Sequence, residues 1–321
     1  MEFPVLPRRA GGSGPPRSSV APQRYRPPDH RDRRADAPRR GDPVASRGRG
    51  PTGGRASAPA RVRPRPRLRT SAAVRAFGRA AEAYERGRPD YPAAAVRHLA
   101  RVLGLVPGRT VVELGSGTGK FTRALGPLGV TRLAVEPSAG MRRVFGRTVP
   151  EVPVLPGTAE AIPLPDRFVD AVVAAQSFHW FRPVPALAEI ARVVRPGGGL
   201  GLVWNIRDES VGWSHRLTEI LDRYGWWVPR ARERRWRPAF DRADCPFGPL
   251  HRRVFRYTQV ARPGAFVARV LSISVIAVLP EPKRRQVARE VRRLLTSDPA
   301  TRGRPTLEMP YRTEVYWAYR R

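Results

Sequence analysis

The sequence predicts an α/β three-layer sandwich: a seven-stranded, mostly parallel sheet whose last strand is antiparallel, preceded by a disordered N-terminal extension. Three observations predict it. Between residues 93 and 205, short apolar runs alternate with helical segments, the pattern of a parallel sheet covered on both faces. The run VVELGSGTGK, Val111–Lys120, carries an apolar strand through alternate glycines (Gly115, Gly117, Gly119) into a helix start at Phe121. The composition also changes at Ser71, from Pro-, Arg- and Gly-rich sequence to sequence with helical and strand periodicity.

A chain of 321 residues has room for one large domain or two small ones, with an ample core. Its net charge of +33 points towards polyanions, yet all but two of the 60 basic residues are arginine, the exceptions being Lys120 and Lys283. An Arg-, Ala-, Pro- and Gly-heavy composition is what a GC-rich genome produces, and that origin is favoured over a nucleic-acid-binding surface. Residues 1–70 hold 18 arginines against five acids and few aliphatics, too little apolar surface to offset chain entropy. They are expected to be a disordered extension ahead of a domain spanning 71–321. An arginine-rich arm for RNA is the competing reading of the same stretch. The single cysteine, Cys245, excludes an internal disulfide, and the five histidines show no ligand spacing, so no metal is expected. The longest apolar run, Val270–Leu279, is about half a membrane span. The protein is expected to be cytoplasmic, without membrane contact, and a monomer or weak dimer.

In order, Ser71 caps a helix ending at Gly87, and Ala93–Leu103 forms a second. Strands follow at Arg109–Leu114, Arg132–Glu136, Val152–Leu155, Phe168–Ala175 and Leu200–Asn205. Helices lie between them at Phe121–Leu125, Ser138–Arg147 and Val184–Val194. Beyond Asn205 the pattern loosens: helices at Trp213–Tyr224, Gly264–Ser272 and Pro282–Leu295, and strands at Val254–Val260 and Thr313–Tyr319, which suggest an antiparallel, hairpin-like edge.

The glycine loop after a strand is a site for a nucleotide-bearing cofactor, because backbone N–H groups and a helix N-terminus face the strand's carboxyl end. A dinucleotide site would carry G-x-G-x-x-G, whereas the spacing here is G-x-G-x-G with Glu113 before it. Glu136 closes the second strand, where a carboxylate can take a ribose diol in either NAD or S-adenosylmethionine sites. Neither lysine has a tyrosine four residues before it for hydride chemistry, and Gly119-Lys120 is followed by Phe121, so the loop is no P-loop. Glycine loops also serve as plain tight turns, the weaker reading here.

These residues resemble the class I S-adenosylmethionine-dependent methyltransferases of the type 11 group, and the chain is similar to bacterial trans-aconitate methyltransferase-like proteins. The resemblance runs over about residues 72–321. It is carried by FGRAAEAYERGRPDYP (77–92), VVELGSGTGKFTRAL (111–125), AVEPSAGM (134–141), GTAEAIPLPDRFVDAVVAAQSFHWF (157–181), RPGGGLGLVWNIRDE (195–209), LPEP (279–282) and PYRTEVY (310–316). It implies a Rossmann-like fold and S-adenosylmethionine as cofactor. It implies further that the loop of Gly115, Ser116, Gly117 and Gly119 passes under the methionine part of that cofactor, supported by Glu113. Glu136 and Pro137 would meet the ribose, Met141 the adenine face, and Ala159-Glu160 the adenine edge. Thr158 stands where many relatives carry Asp, which weakens the adenine contact. Gln176 would border the cofactor's amino group. Tyr84, Arg88 and Tyr91, ahead of the first strand, would close over the site, with Arg88 pairing with the cofactor carboxylate. Met141 and Tyr84 read equally as core residues, and Arg88 as a surface arginine.

Methyl transfer from a sulfonium is an in-line displacement, so alignment is the protein's main task. His179 in QSFHWF is the candidate base should the acceptor lose a proton; it reads equally as a packed residue shaping the pocket with Phe178 and Trp180. Trp204, Trp213, Trp226, Trp227 and Trp236 suggest an aromatic acceptor or ordinary core, and Arg207 with its neighbours a carboxylic acid. The expected function is methylation of a small-molecule acceptor. A nucleic-acid-directed enzyme is the alternative, although no Asn-Pro-Pro-Tyr follows the fourth strand, where Gln176-Ser177-Phe178-His179 stands.

Overall fold

A computed structural model describes residues 81, 82, 85, 88–225, 234–277 and 279–321. The expected extension over 1–70, most of the helix expected from Ser71 to Gly87, and Tyr84, Trp226 and Trp227 lie outside the described residues.

Seven strands form one sheet of order β3-β2-β1-β4-β5-β7-β6. They are β1 (Thr110–Leu114), β2 (Thr131–Val135), β3 (Val154–Leu155), β4 (Val169–Ala175), β5 (Val194–Arg207), β6 (His251–Ala261) and β7 (Leu307–Tyr319). β1 to β5 pair in parallel, and β7 runs antiparallel to both β5 and β6. The described helices are α1 (Ala93–Val102), α2 (Lys120–Ala124), α3 (Ala139–Thr148), α4 (Pro183–Val193), α5 (Gly212–Gly225), α6 (Pro263–Leu271), α7 (Ser274–Ala277) and α8 (Glu281–Ser297). None of them is long and apolar enough to cross a membrane.

The layers follow from residue alternation. Val112 and Leu114 of β1 join Val172, Ala174, Leu202 and the α4 residues Leu187 and Ile190 on one face. Val111, Val173, Ala175 and Val203 pack under Val96 and Leu99 of α1 on the other. All seven residues of β4 are buried, as an apolar strand covered on both faces requires.

Two differences from the expected elements have physical causes. β5 begins at Val194 rather than Leu200, because the chain pairs with Val169 at once and is then carried past a register shift to Gly199, opposite Ala171. β6 and β7 are antiparallel neighbours but not a hairpin: α6, α7 and α8 intervene. With α5 they enclose a core of their own around Leu217, Phe266, Val291 and Leu295.

Two buried strand acids are each ion-paired to two arginines. Asp170 takes Arg109, Arg195 and the Thr110 N–H. Glu314 takes Arg234, Arg252 and the Tyr316 hydroxyl.

Candidate cofactor and acceptor site

Strand order reverses at β1, which has β2 on one side and β4 on the other. Loops leaving the two central strands in opposite directions open a crevice at their carboxyl ends. A cleft of about 370 Å³ lies there. Its lining includes Arg88, Tyr91, Glu113, Gly115, Ser116 and Gln176 from the sequence expectations, with Thr118, Lys120, Phe121 and Asn205 beside them.

The glycine loop is shaped by backbone demands. Gly115 donates its N–H to the Val135 carbonyl at 2.8 Å and sits at φ +64°. A Cβ there would lie 2.7 Å from that of Ser177, so the position excludes side chains on conformation and on space. Gly119, at φ +88°, opens α2 against α3; a Cβ would strike Val149 and Phe145, so this glycine serves helix packing. Gly117 gives its N–H to Glu136 Oε2 at 2.9 Å, and Ser138 gives its own to Oε1 at 2.8 Å. Glu136, just past β2, is thereby fixed beside the loop by backbone donors. Each oxygen keeps further acceptor capacity.

The electrostatics are those of a buried acidic pocket. Burial pushes the Glu113 carboxyl up to about 8, against hydrogen bonding from Thr122 and with help from the Glu136 charge. Burial also raises Glu136, opposed by the Ser138 and Gly117 N–H groups and by Arg142. The Ser116 hydroxyl is buried in the lining and meets no hydrogen-bond partner among the described residues. A polar cofactor that offers hydroxyl and amino groups fits this donor and acceptor set.

The other expected residues are placed as follows. Met141 is buried against Ala81 and Val144, and its N–H caps α3 through the Ser138 hydroxyl. The Pro137 carbonyl accepts from Arg142 at 2.9 Å. Ala159 is buried in the α4-side core, and Glu160 accepts the Arg182 N–H at 2.8 Å. None of these four, nor Gly117, Gly119 or Glu136, is in the lining of the cleft. Gln176 takes a left-handed conformation at φ +57°. Its N–H is spent on the Val203 carbonyl, and its side-chain amide on that of Asn205. Among the described residues these tryptophans do not line the cleft: Trp204 and Trp236 stack at 4.8 Å inside the core, and Trp213 packs on Phe266 in the second core.

His179 has a defined tautomer. The Trp204 indole N–H can only donate, and it reaches His179 Nδ1 at 3.2 Å. The imidazole is therefore neutral with its proton on Nε2, and its one lone pair is engaged. Burial, with the nearby Arg88 charge, pushes its pKa down to about 3.

Sequence reasoning missed Thr118, Lys120, Phe121 and Asn205. Phe121 meets Tyr91 edge to face at 4.8 Å, closing one side of the cleft. Asn205 sits where β5 passes β4's end, a position that only strand register reveals. Its amide donates to the Asp90 carbonyl at 3.1 Å, and Lys120 reaches the Asp90 carboxylate at 3.2 Å.

Residues 112–202 match the family model described as a methyltransferase domain. An uncharacterized methyltransferase of Mycobacterium tuberculosis is 41% identical over 239 residues, 74% of this chain and 92% of the relative. An uncharacterized methyltransferase-like protein of Schizosaccharomyces pombe is 33% identical over 234 residues, covering 73% and 91%. Among solved structures, a type II methyltransferase assignment from Anaeromyxobacter dehalogenans superposes with a TM-score of 0.50 at 26% identity, over 73% of this chain and 96% of that one. With the glycine loop, the paired acids and the reversed strand order in place, the chain belongs to the class I methyltransferases, enzymes whose cofactor is S-adenosylmethionine.

Proposed function

We propose that residues 71–321 form the catalytic domain and transfer a methyl group to a small-molecule acceptor, chiefly by holding the reactants in line. The observation that carries this reading is the cleft at the β1/β4 strand reversal, with its orphan Ser116 hydroxyl and two buried acids beside one glycine loop. Bound there, S-adenosylmethionine supplies an activated methyl group. Glu136 would accept the ribose hydroxyls on the capacity its backbone donors leave. Gly115, Ser116, Gly117 and Gly119 would let the chain approach closely, and Glu113 would brace the loop through Thr122 on α2. Arg88 would pair with the cofactor carboxylate, while Gln176 holds the β4 end to Asn205. Pro137, Met141, Ala159 and Glu160 would bound the adenosine end, in the described residues by packing and backbone rather than by cleft-lining groups.

His179 is assigned a shaping role. With its lone pair on the Trp204 N–H it accepts no proton in this arrangement, so catalysis rests on proximity and on exclusion of water by Tyr91 and Phe121.

Calorimetric titration with S-adenosylmethionine tests the reading. Gly115→Ala and Glu136→Gln are each expected to weaken binding by tenfold or more, about 1.4 kcal/mol at least. Unchanged affinity in both would remove the site assignment. A methyl-transfer screen over carboxylic acids and phenols then addresses the acceptor.

A further inference from the structure

Beyond the cleft, strands β5, β7 and β6 carry a row of side chains in register: Arg207 opposite Tyr311, and Tyr311 opposite Tyr257. Tyr257 and Tyr311 stack with centroids 5.4 Å apart. The row is joined to the cleft, because the Tyr257 hydroxyl donates at 3.0 Å to the Asp90 carbonyl, the same atom that takes the amide of Asn205.

Arg269 of α6 lies over this row. It is only 8% exposed, yet among the described residues no carboxylate forms an ion pair with it. Its guanidinium donates to Gln259 Oε1 and the Tyr311 hydroxyl, both neutral, and lies 4.8 Å over the Tyr311 ring. These acceptors use fewer donors than the fork offers. Burial lowers its pKa; Tyr311 and Tyr257 oppose that shift, and the charges of Arg88, at the cleft, and Arg207 add to it. Arg207 reaches the Thr218 hydroxyl at 3.3 Å, which donates in turn to Glu209. The Arg269 guanidinium is thus held by neutral acceptors while two further guanidinium charges act on it. Away from the cleft, buried Asp170 and Glu314 are each held by two arginines and buried Asp298 by one. Burying a guanidinium without a counter-charge is costly, and a bidentate oxyanion is the group whose geometry relieves it.

We infer that Arg269, flanked by Arg207 and Arg88, is an anion subsite beside the cofactor cleft that takes a carboxylate or phosphate group of the methyl acceptor. The inference rests on the methyltransferase reading above for the word acceptor; the anion site stands on the geometry alone. It makes Arg269 a specificity-determining residue, placed to reject neutral acceptors, and gives the cap of α5 to α8 its part in the site.

The test uses the full chain, glutarate and inorganic phosphate as separate probes, and the variants Arg269→Met and Arg269→Lys. At least one probe is expected to bind the wild type and raise its Tm, and which one does so separates a carboxylate from a phosphate site. Arg269→Met is expected to lose that affinity about tenfold or more and Arg269→Lys to lose part of it. S-adenosylmethionine affinity should stay within about twofold of wild type in Arg269→Met. Without probe, the Tm of Arg269→Met should equal or exceed that of the wild type, because an uncompensated buried charge has been replaced by an apolar side chain. The inference is overturned if neither probe binds the wild type at millimolar concentration, if Arg269→Met binds the probe equally well, or if its probe-free Tm falls by several degrees, which would mark the guanidinium as a structural strut. A wild type that binds a probe but not S-adenosylmethionine would uphold the anion site and remove the methyltransferase reading.

Discussion

Buried charge is treated in opposite ways in two parts of this molecule. In the scaffold, Asp170 and Glu314 are each answered by two arginines. At the carboxyl end of the sheet, Glu113 and Glu136 are held by a threonine hydroxyl and by backbone N–H groups, and Arg269 by a glutamine and a tyrosine. The scaffold neutralises its charges within the chain. The site keeps Glu113 protonated up to about pH 8 and Glu136 on backbone donors on one side, and Arg269 on neutral acceptors on the other. Net charge left unanswered in a dry place is a capacity to bind.

The contrast can be broken first at Glu314. Glu314→Ala leaves Arg234, Arg252 and the Tyr316 hydroxyl without their acceptor and is expected to cost about 3–4 kcal/mol in denaturant unfolding. A loss below about 1 kcal/mol would mean that the scaffold pairs are not structural in this sense. The acidic side is sharpened by pH. Folded Glu113 keeps its proton up to about 8, whereas the unfolded chain releases it near 4.5. Between those values the native state binds the extra proton, so stability falls as pH rises, by up to about 1.4 kcal/mol per unit. Glu113→Gln should flatten that slope when Tm is followed from pH 5 to 8, roughly the window between the two values; parallel curves for the two proteins would contradict the burial argument. The smallest effect is expected at His179. Glutamine there can still accept the Trp204 N–H, so His179→Gln should lower kcat by less than about tenfold, and a loss of about a hundredfold or more would restore the histidine as a base.

Much of the fold was legible. β1, β2, β4 and their helices declare themselves by apolar runs, glycines and breakers, and the glycine loop with Glu113 and Glu136 is local in sequence. What stayed hidden depends on partners far along the chain. Asn205 joins the cleft only because β5 lies beside β4. Trp204 and Trp236 look like pocket aromatics until the stack between them places both in the core. In FVARVLS, Arg269 reads as an ordinary polar break on an apolar helix; its burial is set by Gln259 and Tyr311, which β6 and β7 bring to it. The tautomer of His179 likewise depends on an indole 25 residues away.

The carbonyl of Asp90 ties two parts of the site together. It is gripped by Asn205, from the cofactor cleft, and by Tyr257, from the row beneath Arg269. A change at either end of this bridge, a substitution or a bound group, is expected to reach the other through one backbone oxygen, and any such coupling is reciprocal.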